Sequence, residues 1–158
     1  MRVSSYQRSA SNTGFTLIEL MVTIAVLAII VSIAAPNISS QLANQRSKST
    51  IATLNNALKE AKVESLLRRQ VMTISYNNNG TAIGSISITD PSSNVVASYK
   101  YDTKSTIKST KTPITFKPSK TADESIYTVC DSNLAATPRQ VRVSTIATVT
   151  SSLEGACP

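Results

Sequence analysis

Histidine is missing from this chain, which removes the commonest general base and the commonest metal ligand at once. Its four glycines build no glycine-rich phosphate loop, its two cysteines form no C-x-x-C pair, and no serine sits in a G-x-S-x-G frame. Two cysteines 27 positions apart without a histidine also make a poor zinc site. Asp123-Glu124 is the one adjacent acidic pair outside the helical region, and it reads as a solvated loop rather than an acid/base couple. With neither a general base nor a metal cage, the chain is expected not to be an enzyme and to need no cofactor or metal.

What is present begins near the N-terminus. Phe15 to Ala35 is an apolar run of 21 residues in which Glu19 is the only charge. At about 1.5 Å rise per residue that length is enough to cross a hydrocarbon core of about 30 Å. A carboxylate in the middle of a membrane costs roughly 2.5 to 3.5 kcal/mol, less near a helix end, so an acid here is a functional hypothesis in search of a partner. An amine freed by cleavage after Gly14 supplies that partner.

Two plainer readings compete. A secretory signal has a basic start, a 7 to 15 residue apolar stretch and a small-residue cut site; Ser32-Ile33-Ala34 fits such a site, but the run is too long and carries an acid. A simple signal anchor would be held by Arg2 and Arg8 through the positive-inside rule, which leaves Gly14 and Glu19 without a purpose.

Gly14-Phe15-Thr16-Leu17-Ile18-Glu19-Leu20 resembles the processing site of type IV prepilins and type II secretion pseudopilins, with Glu19 fifth and Pro36 twenty-second after the cut. The resemblance implies that a prepilin peptidase removes residues 1–14 and methylates the new N-terminus at Phe15. It also implies that Glu19 pairs with the N-terminus of a neighbouring subunit during assembly. Removing the leader takes Arg2 and Arg8 from the sixteen basic side chains, leaving fourteen against nine acidic and a net charge of +5.

The expected organisation is a leader over 1–14, a transmembrane and assembly helix over 15–36, an amphipathic helix over 37–70 and a β-rich domain over 71–158. Proline inside a helix removes a hydrogen bond, so Pro36 is read as a kink. Beyond it Ile51, Leu54, Leu58, Ala61 and Ser65 recur at three- and four-residue steps, flanked by Leu42, Ala57 and Leu66, while Arg46, Lys48, Lys59, Lys62 and Arg69 take other faces. That is one buried stripe. Glu64 and Arg68 form an i,i+4 pair in the favourable order.

From Val71 the residues turn β-branched and aromatic. Strands are predicted over 72–76, 83–89, 95–101, 113–116, 125–130, 140–145 and 147–150, with turns at Asn77-Asn78-Asn79-Gly80, Asp90-Pro91 and Pro138. Alternation in 83–88 and 141–143 points to antiparallel sheet with one buried face. The fold class is therefore α+β, a long N-terminal helix packed on an antiparallel domain. About 90 residues make a marginal core that gains from covalent support. Cys130 and Cys157, on the exported side of a single span, are expected to form a disulfide rather than remain free thiols.

The remaining signal is basic. Lys100, Lys104, Lys108, Lys111, Lys117 and Lys120 crowd a stretch whose only acid is Asp102, and Arg139 and Arg142 follow. Such residues can contact phosphates nonspecifically; equally, lysines protect an edge strand from aggregation. Within the pilin family, the long helix, β-rich domain and late cysteines look most like the minor pilins FimU and FimT and the pseudopilin GspH. DNA-binding members carry a G-R-x-R-type motif, whereas Pro138-Arg139-Gln140-Val141-Arg142 lacks the glycine and spaces the arginines by three.

The resemblance thus implies a FimU-like minor pilin acting at the pilus tip or initiation complex, with a role in pilus assembly, twitching motility and DNA uptake. The alternatives are a FimT-like DNA-binding pilin for transformation and a GspH-like pseudopilin of a type II secretion system. Expected partners are other pilins through the N-terminal helix, the prepilin peptidase, the inner membrane before assembly and, weakly, DNA. The expected location is a single pass in the inner membrane with the globular domain in the periplasm, and then the pilus tip.

Overall fold

The computed structural model describes residues 15–157, apart from the side chains of residues 34–37. Residues 1–14, including Gly14, lie outside the described set, as does the Pro36 side chain. Helical backbone, α1, is assigned over Leu17–Arg68. The chain divides into two units, meeting between Asn37 and Ile38.

In the first unit every described side chain from Phe15 to Ile33 is exposed. Apolar residues cover all sides of this helix, so it has no core of its own, and such a helix must be covered from outside. No single described helix is long and apolar enough to cross a membrane; Leu17–Ile33 meets that requirement only together with Ile38–Arg68.

In the second unit the helix buries one stripe comprising Ala43, Ser47, Thr50, Ile51, Leu54, Ala57, Leu58, Ala61 and Ser65. The three- and four-residue spacing keeps these side chains on one face. Leu42 points away and is exposed, Leu66 is half-buried, and Ala43 takes the place expected of Leu42. The small stripe residues let the backbone approach closely. The helix stops at Arg68 because Arg69 turns left-handed, φ 54°, a C-terminal turn made here without glycine.

Eight strands follow: β1 Met72–Asn77, β2 Gly84–Thr89, β3 Val95–Tyr101, β4 Ser105–Ser109, β5 Ile114–Phe116, β6 Ser125–Asp131, β7 Arg139–Val143 and β8 Val149–Ser152. They form two antiparallel four-stranded sheets, β3-β2-β1-β5 and β4-β6-β7-β8. Met72, Ile74, Ile86, Ile88 and Phe116 of the first sheet and Ile107, Tyr127, Val129, Val141 and Val143 of the second share one core with the helical stripe. β4 is absent from the sequence-based reading, because Ser105-Thr106-Ile107-Lys108-Ser109 has a single large apolar residue. β7 and β8 are displaced by one or two residues from their expected bounds.

β4 is the edge of its sheet, and its middle is blocked. The Asn78 amide donates to the Ile107 carbonyl (2.6 Å) and its Oδ1 accepts from the Ile107 N–H (2.8 Å), so one side chain imitates a missing strand. Tyr101 Oη–H donates to the same Oδ1 at 2.6 Å. Gly84 is needed beside it: a Cβ there would meet the Tyr101 ring at 2.2 Å. Edge protection is therefore shared between Lys108 and Asn78.

One ion pair fastens the helix to the second sheet. Arg46 makes a two-pronged bond to Asp131, 2.9 Å to each carboxylate oxygen, and the Asp131 side chain is wholly buried. Beside it the loop after β6 grips the helix: the Thr137 N–H donates to Asn44 Oδ1 at 2.8 Å and Asn133 Nδ2 donates to Ser39 Oγ at 3.2 Å. Burial pushes the Asp131 carboxyl up, but the hydrogen bonds from Arg46 and the Asn133 N–H win and hold it below 3.8.

Cys130 and Cys157 are joined, with Cα atoms 5.8 Å apart. The tail beyond β8 lies on the outer face of the second sheet, where a Cβ on Gly155 (φ 114°) would come within 2.8 Å of Gln140 Nε2 and 3.1 Å of Thr128.

Two predictions follow from these fastenings. Removing one partner of a buried pair strands the other charge, so Arg46→Met is expected to cost about 3 to 5 kcal/mol at neutral pH. The Asp131 contribution in the native protein is present above the ordinary carboxylate value and is lost as the pH falls through its lowered folded value; a lone buried Asp131 would instead be relieved by protonation. Urea unfolding of both proteins should show the gap narrowing as the pH drops from 7 towards 4, and a gap independent of pH would contradict the assignment. Separately, reducing the disulfide frees a loop of 27 residues, for which chain entropy gives about 3 to 4 kcal/mol; calorimetry with and without reductant measures it, and an unchanged melt would exclude it.

Candidate assembly helix and basic surface

Thr16 starts the helix. Its Oγ1 accepts from the Glu19 N–H at 3.2 Å and its carbonyl accepts from the Leu20 N–H at 3.2 Å. Thr16-Leu17-Ile18-Glu19 is therefore a T-x-x-E capping sequence, which sequence reading had passed over although the spacing is diagnostic. The cap puts Glu19 in the first turn, where the positive end of the helix dipole favours a carboxylate. The other polar side chains of Leu17–Ile33 are satisfied within the helix: Thr23 Oγ1–H donates to the Leu20 carbonyl and Ser32 Oγ–H to the Ile29 carbonyl. Glu19 has no such bond among the described residues. It is exposed in an apolar segment and is the one group there that requires an outside partner.

The basic residues do not converge. Lys100 lies on the outer face of the first sheet, opposite Ser85; Lys108 lies on the outer face of the second, opposite Thr128. Lys104 occupies the turn between β3 and β4, within the influence of Asp131. Lys111 is committed to Asp123 at 2.7 Å. Asp123 also accepts from the Thr115 N–H (2.8 Å) and hydroxyl (2.7 Å), and these bonds, Lys111 foremost, lower its carboxyl from 3.8 to about 2. Three positions apart on a strand, Arg139 and Arg142 take opposite faces. Arg139 stands opposite buried Val129, and Arg142 stands exposed between Ile126 and Thr150. The run that looks like a patch in sequence is divided between two sheets.

Residues 9–35 match the model of the prokaryotic N-terminal methylation motif. No curated protein sequence matches the chain. Among solved structures, the type IV minor pilin FimU of Pseudomonas aeruginosa superposes with a TM-score of 0.54 at 20% identity, over 66% of this chain and 91% of that one. A second crystal form of FimU gives 0.53 at 17% identity, over 70% and 87%. The chain has the fold of a minor pilin.

The minor pseudopilin EpsH from the type 2 secretion system of Vibrio cholerae is equally similar in fold, with a TM-score of 0.55 at 7% identity over 67% of this chain and 95% of that one. The pilin fold accounts for the α+β arrangement of one long helix on antiparallel sheet. Agreement in fold at such low identity leaves the surface free to differ, so the dispersed lysines must be judged on this chain alone.

Dispersed charge predicts weak DNA binding, salt-sensitive and indifferent to sequence, with a dissociation constant of about 10⁻⁴ to 10⁻⁶ M at physiological salt. Replacing Arg139 and Arg142 by glutamine should weaken it no more than replacing Lys100 and Lys108 does. A gel-shift series in which tight binding vanishes with the arginines alone would contradict this.

Proposed function

We propose that this chain is a minor type IV pilin of FimU-like kind, made as a single-pass inner-membrane precursor with its globular domain in the periplasm. Prepilin peptidase cuts the Gly14–Phe15 bond and methylates Phe15. The Leu17–Ile33 helix then leaves the membrane to pack among the helices of other pilins at the tip or initiation complex, promoting pilus assembly and twitching motility. The observation that carries this reading is Glu19: in the capped first turn of the segment Leu17–Ile33, whose described side chains are all exposed, its carboxylate has no partner among the described residues. A new amine on Phe15, one residue before Thr16, would lie close to the turn that holds Glu19 in a neighbouring subunit.

The methylation motif and the pilin fold support the family role rather than catalysis. A GspH-like pseudopilin is the second reading, favoured by the equal likeness to EpsH. The separation of Arg139 from Arg142 argues against a FimT-like DNA receptor.

Glu19→Val is expected to insert into membranes at least as well as the native chain, since it removes the one charge of the span, and to be lost from assembled fibres. Membrane fractions and sheared pili from the same cells are compared by immunoblot, with mass spectrometry of the mature N-terminus. Native levels of the variant in sheared pili, or a mature chain that begins anywhere but Phe15, would overturn the proposal.

A further inference from the structure

Asn77-Asn78-Asn79-Gly80 carries the chain out of β1, and its asparagines are held very differently. Asn78 is locked: its side chain clasps both backbone groups of Ile107 and accepts from the Tyr101 hydroxyl. Asn79 is exposed, and its side chain makes no hydrogen bond among the described residues. Only its carbonyl is engaged, accepting from the Ala82 N–H at 3.1 Å and closing a turn over Gly80 and Thr81.

Gly80 completes the arrangement. Its φ is 63°, in the left-handed region that glycine enters freely, and a Cβ built on it would meet nothing within 4 Å. Its N–H donates to no group among the described residues. An amide nitrogen with no bond to hold it and no side chain to shield it therefore directly follows an asparagine side chain that is equally unheld. Of all the asparagines in the chain, Asn79 alone precedes a glycine. Asn55 and Asn56 precede N–H groups inside the helix, and Asn44 and Asn133 spend their side chains on the contacts between helix and loop.

We propose that Asn79 is a site of spontaneous deamidation, with water as the only co-reactant. The Gly80 nitrogen gives up its proton to hydroxide and attacks Asn79 Cγ; a bond forms between them, the Cγ–Nδ2 bond breaks, and ammonia leaves with a proton returned by water. The product is a cyclic imide. Water then adds to either ring carbonyl. Breaking the bond from Gly80 N to Cγ gives aspartate, whereas breaking the bond to the main-chain carbonyl carbon gives isoaspartate, whose backbone runs through the former side chain and is one carbon longer. Nothing is oxidised or reduced, and neither a second subunit nor an enzyme takes part. Asparagine counts among the thermolabile residues, and here the turn leaves both reacting groups free.

The place of the site gives the reaction a consequence. The extra carbon enters directly after Asn78, whose position against Ile107 closes the edge of β4. The isoaspartyl form loosens that clasp, so the edge opens as the protein ages.

The test incubates the full chain in detergent micelles at mildly acid and mildly alkaline pH. Trypsin, cutting after Arg69 and Lys100, releases Asn77, Asn78, Asn79 and Asn94 in one peptide, and tandem mass spectrometry places any change. The mass gain of exchanging an amide for a carboxyl is expected at Asn79 and not at the other three, divided between two chromatographically separate isomers. It should grow with time and grow faster at alkaline pH, because the attacking nitrogen must lose its proton. Asn79→Gln, which would have to close a larger ring, should stay unconverted. Persistence of the amide at Asn79, or equal conversion at Asn77 and Asn78, overturns the site. Hydrogen exchange at the Ile107 N–H, read by NMR on nitrogen-15-labelled chain before and after ageing, decides the consequence. Protection should fall in the native chain and hold in aged Asn79→Gln; unchanged protection in the isoaspartyl form overturns the loosening.

Discussion

The globular unit depends on seating one helix against two sheets at once. Large side chains come mainly from the strands, Phe116, Tyr127 and the isoleucines among them, while the helix contributes a stripe in which Ala43, Ser47, Ala57, Ala61 and Ser65 alternate with Ile51, Leu54 and Leu58. Small helical residues bring the helix axis close to the sheets, and the apolar area removed from water is then shared by all three layers, at about 25 cal/mol per Å². The sheets do not pair with one another edge to edge; Asn78 bridges them by occupying the outer hydrogen-bonding groups of Ile107.

Hydrophobic burial is non-directional and leaves the rotation and register of the helix to polar contacts. Arg46 and Asp131 supply direction. A fully desolvated carboxylate is tolerable only opposite a fork that uses both its oxygens, so the pair tolerates few positions of the helix relative to β6, and the loop carrying Asn133 and Thr137 closes over the same end. The disulfide holds the tail across the outer face of that sheet, where Gly155 fits only because it has no side chain.

In the helical segment ahead of this unit, Leu17–Ile33, every described side chain is exposed. Thr23 and Ser32 donate to carbonyls of their own helix, and of the polar residues there Glu19 alone has no side-chain hydrogen bond among the described residues of the segment.

The sequence alone determined the elements whose signal is local. The apolar run with its single acid, the i, i+3, i+4 stripe and the longer β-branched strands follow from side-chain periodicity, and the Cys130–Cys157 bridge follows from the residues together with the compartment they imply. The Thr16 cap is equally local, a T-x-x-E spacing in which Glu19 is the third residue of the helix as well as its charge. Only the tertiary structure decided matters of pairing. β4 has little apolar pattern and exists because β6 offers it a ladder on one side and Asn78 covers it on the other. Nor does proximity in sequence measure proximity in space on a sheet: the two-residue period sends Arg139 and Arg142 to opposite faces, and the lysines from 100 to 111 are parted by a chain that leaves one sheet for the other between Asp102 and Lys104.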